Sequence, residues 1–130
     1  MSDFRKLDVW VNSHALLLNV HGAAKGIRGA DYLTLRNQML RAAMSIPTNL
    51  VEGVGQKTAR EFARFIRISL NSSTELEYHL LIARDFEVMQ LEPYNTLTRE
   101  TIEVRKMLHG LLGKVESRAK NDGKGREPRS

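Results

Sequence analysis

Ser45, Asn49 and Glu52 stand at intervals of four and three in the run Arg41-Ala-Ala-Met-Ser45-Ile-Pro47-Thr-Asn49-Leu-Val-Glu52-Gly53. In a helix that spacing puts a hydroxyl, an amide and a carboxylate beside one another, on or next to the face that carries Ala42, Ala43, Ile46 and Leu50. Such a trio could polarise a substrate or hold a cation if a base or further ligands joined it. A second polar stretch, Asn71-Ser-Ser-Thr-Glu75, interrupts the aliphatics of the next amphipathic segment. Buried polar groups cost a few kcal/mol each unless they are hydrogen-bonded, so two such stretches on antiparallel neighbours are expected to meet. The expectation is therefore structural: Arg41, Ser45, Asn49, Glu52 and Gly53 form a polar motif that cross-braces to Asn71, Ser72 and Glu75, with Gly53 helping to end its helix.

Other chemistries fit less well. A di-iron bundle needs Glu-x-x-His on two helices; here Glu75 and His79 are four apart and no second copy exists. His14 and His21, seven residues apart, read as semi-buried side chains on an apolar side rather than as ligands. Ser117-x-x-Lys120 lacks the companion motifs of serine acyltransferases, and the Gly22, Gly26, Gly29 spacing follows no strand. Cysteine is absent, which excludes disulfides, thiolate metal sites and cysteine nucleophiles. No enzyme activity, cofactor or metal is expected.

The net charge of +5, with pI near 9.8, is permissive for nucleic-acid binding, since phosphate contacts supply most non-specific affinity. Arg60, Arg64 and Arg67 make a short basic ridge at spacings of four and three, with Lys57 just before it. Lys120, Lys124 and Arg126 add charge near the C-terminus, while Arg5, Lys6 and Arg36 are further candidates. The competing reading is a plain turn with solvated basic side chains. Aromatics are only 6%, which argues for backbone or shape recognition over base stacking.

Four amphipathic segments must position these groups. Phe4 to about Lys25 carries Leu7, Trp10, Val11, Leu17 and Leu18 on one stripe and Val9, Leu16 and Val20 on another about 180° away. The second stripe is expected to be an oligomer interface, the alternative being scattered exposed aliphatics. The next helix ends at Gly53 or Gly55 with a glycine cap, and Pro47 inside it predicts a kink or a split into two helices. Thr58-x-x-Glu61 is a capping box that opens a third helix over 59–87, and Pro93 fits the first turn of a fourth. Short connections give an all-α, antiparallel up-down-up-down four-helix bundle over 1–119, with 120–130 a basic disordered tail. No apolar run reaches the ~18 residues of a membrane span, and the chain is expected to be soluble and cytoplasmic.

The segments Gln38-Met-Leu-Arg41-Ala-Ala-x-Ser45-Ile-x-x-Asn49-x-x-Glu52-Gly53, Glu61-Phe62-x-x-Phe65 and Ser72-x-x-Glu75-Leu-Glu77 carry a resemblance. They resemble the small bacterial proteins encoded within intervening sequences of large-subunit ribosomal RNA genes. The likeness runs from Phe4-x-x-Leu7-x-x-Trp10 to about Leu112; Asn71-Ser72 departs from the Gly-Ser common in that family, and Pro47 falls at a variable position. The resemblance implies an antiparallel bundle assembling into a cyclic homopentamer. A distant relative, the accessory protein of diversity-generating retroelements, binds a reverse transcriptase and nucleic acid through a basic surface. The expected function is a non-enzymatic oligomeric bundle that binds RNA or a ribonucleoprotein. The alternative is a protein-interaction scaffold without nucleic acid.

Overall fold

The computed structural model describes residues 3–125. After a 3-10 turn at Phe4–Lys6, α1 spans Asp8–Ala24, α2 Leu33–Val54, α3 Ala59–Asp85 and α4 Leu91–Gly125. Consecutive helices pack side by side and α4 closes against α1, giving the antiparallel up-down-up-down bundle. The described residues contain no strand, and none of their helices is long and apolar enough to cross a membrane.

The core is built by one stripe from each helix. Met39, Ile46, Leu50, Ile66, Leu76, Leu80 and Leu108 are fully enclosed. Each such side chain contributes about 1.5–3 kcal/mol by leaving water. Two of the buried hydroxyls are satisfied on their own helix: Ser13 donates to the Trp10 carbonyl at 3.0 Å and Thr101 to the Leu97 carbonyl at 2.7 Å.

On α1 the two stripes exchange the roles expected of them. Val9, Ser13, Leu16, Val20 and Ala24 are buried in the subunit's own core, so the Val9, Leu16, Val20 stripe is no interface. Val11 and Leu18 point outward at 49% and 57% exposure, with Trp10 and Leu17 on the shoulder. A two-sided apolar helix gives periodicity no means of ranking its faces. The deciding signal is the small residues Ser13 and Ala24, which continue the inner stripe without a break, whereas His14 and His21 interrupt the outer one.

Pro47 does not split the second helix: α2 is continuous from Leu33 to Val54 with the proline ring buried. Of the two glycines expected to end this helix, Gly55 is its C-cap, without the left-handed backbone such a glycine often adopts. Gly55 has φ −77°, ordinary right-handed backbone, and Gly53 lies within the helix rather than ending it. What Gly53 supplies is room, since a Cβ there would lie 2.7 Å from Phe62 Cδ1 and 3.0 Å from Phe65 Cβ. The capping box forms in part, with Thr58 Oγ1 accepting from the Glu61 amide at 3.1 Å while the Glu61 carboxylate turns to Arg64 instead. α3 ends in a Schellman-type turn, Val88 N–H reaching the Ala83 carbonyl, with Glu87 at φ 60° in the place glycine usually takes.

At the C-terminus, α4 continues to Gly125, through the first part of the stretch read as disordered tail. Lys120 and the backbone of Lys124 are thus helical. Arg126 and the remainder of the tail lie outside the described residues, as does the Lys124 side chain.

Candidate nucleic-acid interface

The polar motif comes first, because its helices carry the basic residues. Antiparallel pairing of α2 and α3 sets Ser45 against Ser72, whose hydroxyl donates to Ser45 Oγ at 2.7 Å. One layer deeper, fully buried Ser69 donates to the Ile46 carbonyl at 2.9 Å, beside Pro47. Asn49 does not cross to α3; its amide donates to the Ser45 carbonyl and hydroxyl at 2.8 and 3.0 Å on its own helix. Arg41, Glu52, Asn71 and Glu75 are exposed, and among the described residues their side chains make no hydrogen bond or ion pair. The expected brace is therefore real in Ser45 and Ser72, wrong for Glu52, Asn71 and Glu75, and completed by Ser69. A serine at a core position opposite a proline-disturbed turn was the signal for it.

His14 and His21 are exposed, correcting the semi-buried reading, and His14 stacks on Trp10 at a centroid distance of 5.0 Å. Among the described residues no three histidine, aspartate or glutamate side chains converge on a metal-sized space.

The basic residues do converge. The topology collects the α1 N-terminus, the α2–α3 turn and the C-terminal half of α4 at one end of the bundle. In residues 3–13, 48–70 and 108–122, nine lysines and arginines stand against six acidic residues. In the other end, residues 14–47 and 71–107, the numbers are eight and eight. The positive excess of the described chain thus sits entirely at one end.

Within that end, α3 and α4 flank an open cleft of about 670 Å³, with Arg60, Arg67, Glu116, Ser117 and Lys120 on its walls and Ala63, Gly113 and Ala119 among its lining. Arg67 donates to Glu116 at 2.6 Å. Arg60 and Lys120 form no ion pair among the described residues. Arg64 is used differently, pairing with Glu61 at 3.1 Å and lying 4.5 Å over the Phe65 ring. Lys57 is exposed on the α2–α3 turn. On the other flank of α4, Lys6 and Lys114 line a smaller cleft of about 310 Å³. Lys114 and Glu116 belong to no motif or ridge of their own, and only the α3–α4 and α1–α4 registers bring them to the site. Arg36 is removed from the candidates, since it donates to the Ile27 and Gly29 carbonyls at 2.7 and 3.2 Å and pins the α1–α2 loop.

Residues 5–110 match the family described as 23S rRNA-intervening sequence protein. The chain belongs to that family. The matched span takes in α1 to α3, the Ser45–Ser72 brace and most of α4, and stops before Glu116 and Lys120. A solved structure of a protein of unknown function from the S23 ribosomal protein family of Bacteroides thetaiotaomicron superposes with a TM-score of 0.75. It is 22% identical and the alignment covers 80% of this chain and 97% of that one, a likeness that carries the fold. No curated protein matches significantly.

Proposed function

We propose that the protein is a non-enzymatic, oligomeric bundle that binds RNA or a ribonucleoprotein through its basic end, in the cytoplasm. The observation that carries the reading is the one-ended charge, with Arg60 and Lys120 on the walls of an open cleft and in no ion pair among the described residues. Arginine and lysine presented without acidic partners are free to exchange condensed counterions for protein–phosphate contacts. No aromatic ring lines the cleft, so recognition is of backbone and shape.

Assembly into a ring of copies is the second part of the proposal. Val11 and Leu18 of α1, with Met44 at 53% and Val51 at 37% exposure on α2, leave apolar surface on two neighbouring helices. Surface of this kind marks an interaction site and is what a second copy would cover. The same surface favours the alternative, a scaffold that binds protein alone. Retention of labelled ribosomal RNA duplexes over a salt series separates the two. The proposal expects affinity that falls steeply with salt and that Arg60→Ala with Lys120→Ala weakens it; an RNA signal absent at low salt leaves the scaffold.

A further inference from the structure

We propose that Glu116 gates the α3–α4 cleft, holding Arg67 out of play until an anion long enough to replace it arrives. This inference rests on the nucleic-acid reading of the cleft and specifies how that cleft selects its ligand. Of the three cations on the walls, Arg60 and Lys120 are open to a ligand, whereas Arg67 is committed to the Glu116 carboxylate at 2.6 Å. Both members of the pair are about half exposed, at 52% and 47%, so the pair exchanges with solvent and is no buried fixture. Arg60 and Arg67 stand two helical turns apart, about 10 Å along α3. That span is long enough to meet more than one phosphate of a nucleic-acid backbone, for which B-form DNA rises roughly 3.4 Å per step.

A lone phosphate meets two open cations and one repelling carboxylate. A polymer backbone engages Arg60 and Lys120 first and then presents a further phosphate to Arg67, which can trade one oxyanion for another. Glu116 is left beside the strand as an unpaired negative charge, so it lowers affinity for every anion and penalises short ones most. Arg67 is planar and multidentate and accepts carboxylate or phosphate equally well, which is the property such an exchange requires.

The test compares wild type, Glu116→Gln and Glu116→Gln/Arg67→Ala for binding a fluorescent RNA duplex, with inorganic phosphate as competitor. Glu116→Gln is expected to bind the duplex about three- to fivefold more tightly at low salt and to become more sensitive to phosphate. The added Arg67→Ala change should remove that gain. Unchanged melting temperatures confirm that no variant acts through folding. Equal or weaker duplex binding by Glu116→Gln, with Arg60→Ala still impairing wild type, overturns the gate and leaves the interface standing. If neither wild type nor Glu116→Gln binds RNA at low salt, both fall.

Discussion

Gly53→Ala sets two well-characterised effects against each other at one position. Alanine is favoured over glycine inside a helix by about 1 kcal/mol, so an open site would gain stability. At Gly53 the new Cβ would lie 2.7 Å from Phe62 Cδ1, 3.1 Å from Cε1 and 3.0 Å from Phe65 Cβ. A ring can tilt, but Phe65 Cβ is one bond from the α3 backbone, so relief requires α2 and α3 to separate. Overpacking of this kind costs typically about 1–3 kcal/mol, and separation also stretches the Ser72–Ser45 bond of 2.7 Å. With about 0.5–1 kcal/mol for the weakened bond added and the alanine preference subtracted, the middle of these ranges is a net loss of about 1–2 kcal/mol. With an unfolding entropy near 2.1 cal/mol/K per residue, 130 residues convert each kcal/mol to about 4 °C, so the melting midpoint drops by about 4–8 °C. The assay is thermal and urea unfolding followed by circular dichroism at fixed protein concentration, because the proposed assembly would make the midpoint concentration-dependent. Gly110→Ala is the internal control, since its Cβ meets nothing within 4 Å, and it should gain about 0.5–1 kcal/mol. A Gly53→Ala protein as stable as wild type, or more so, would refute the close-approach account of this glycine.

Three further outcomes follow from particular contacts. Leu16→Ala, at a site 1% exposed, should cost about 2–5 kcal/mol, whereas Leu18→Ser, at 57% exposure, should leave subunit folding nearly unchanged while sedimentation shifts toward monomer. Ser45→Ala and Ser72→Ala should each destabilise by about 1 kcal/mol and combine with a coupling of about 0.5–1 kcal/mol in a double-mutant cycle, because each removes the same bond. Glu87→Gly should raise the urea midpoint by the equivalent of about 0.5–1 kcal/mol, as it relieves a left-handed backbone at φ 60°.

The fold was legible because four periodic stripes and short connections leave a chain of this size few other arrangements. The brace was legible in outline: serines at core positions on two antiparallel helices must find partners, and Ser45 with Ser72 do so. Its membership was not, because a carboxylate three residues from a core position can equally well rotate into water, as Glu52 does. The inner face of α1 was hidden by symmetry, since Leu18 and Leu16 have the same hydropathy and only the tertiary context separates 57% exposure from 1%. The ridge Arg60, Arg64, Arg67 was visible as spacing, yet its division of labour depends on Glu61, Phe65 and Glu116, the last of them 49 residues from its partner.

The central claim, that charge at one end of the bundle makes the interface, is tested by moving equal charge at both ends. Arg60→Glu/Lys120→Glu alters the α3–α4 cleft, while Arg28→Glu/Arg99→Glu makes the same change in net charge at residues of the other end. Affinity of each protein for one ribosomal RNA duplex at fixed salt is the measurement. The account predicts at least a tenfold loss for the first variant and a change within about threefold for the second. Equal losses for the two would contradict it and reduce the binding to undirected attraction between a basic protein and a polyanion.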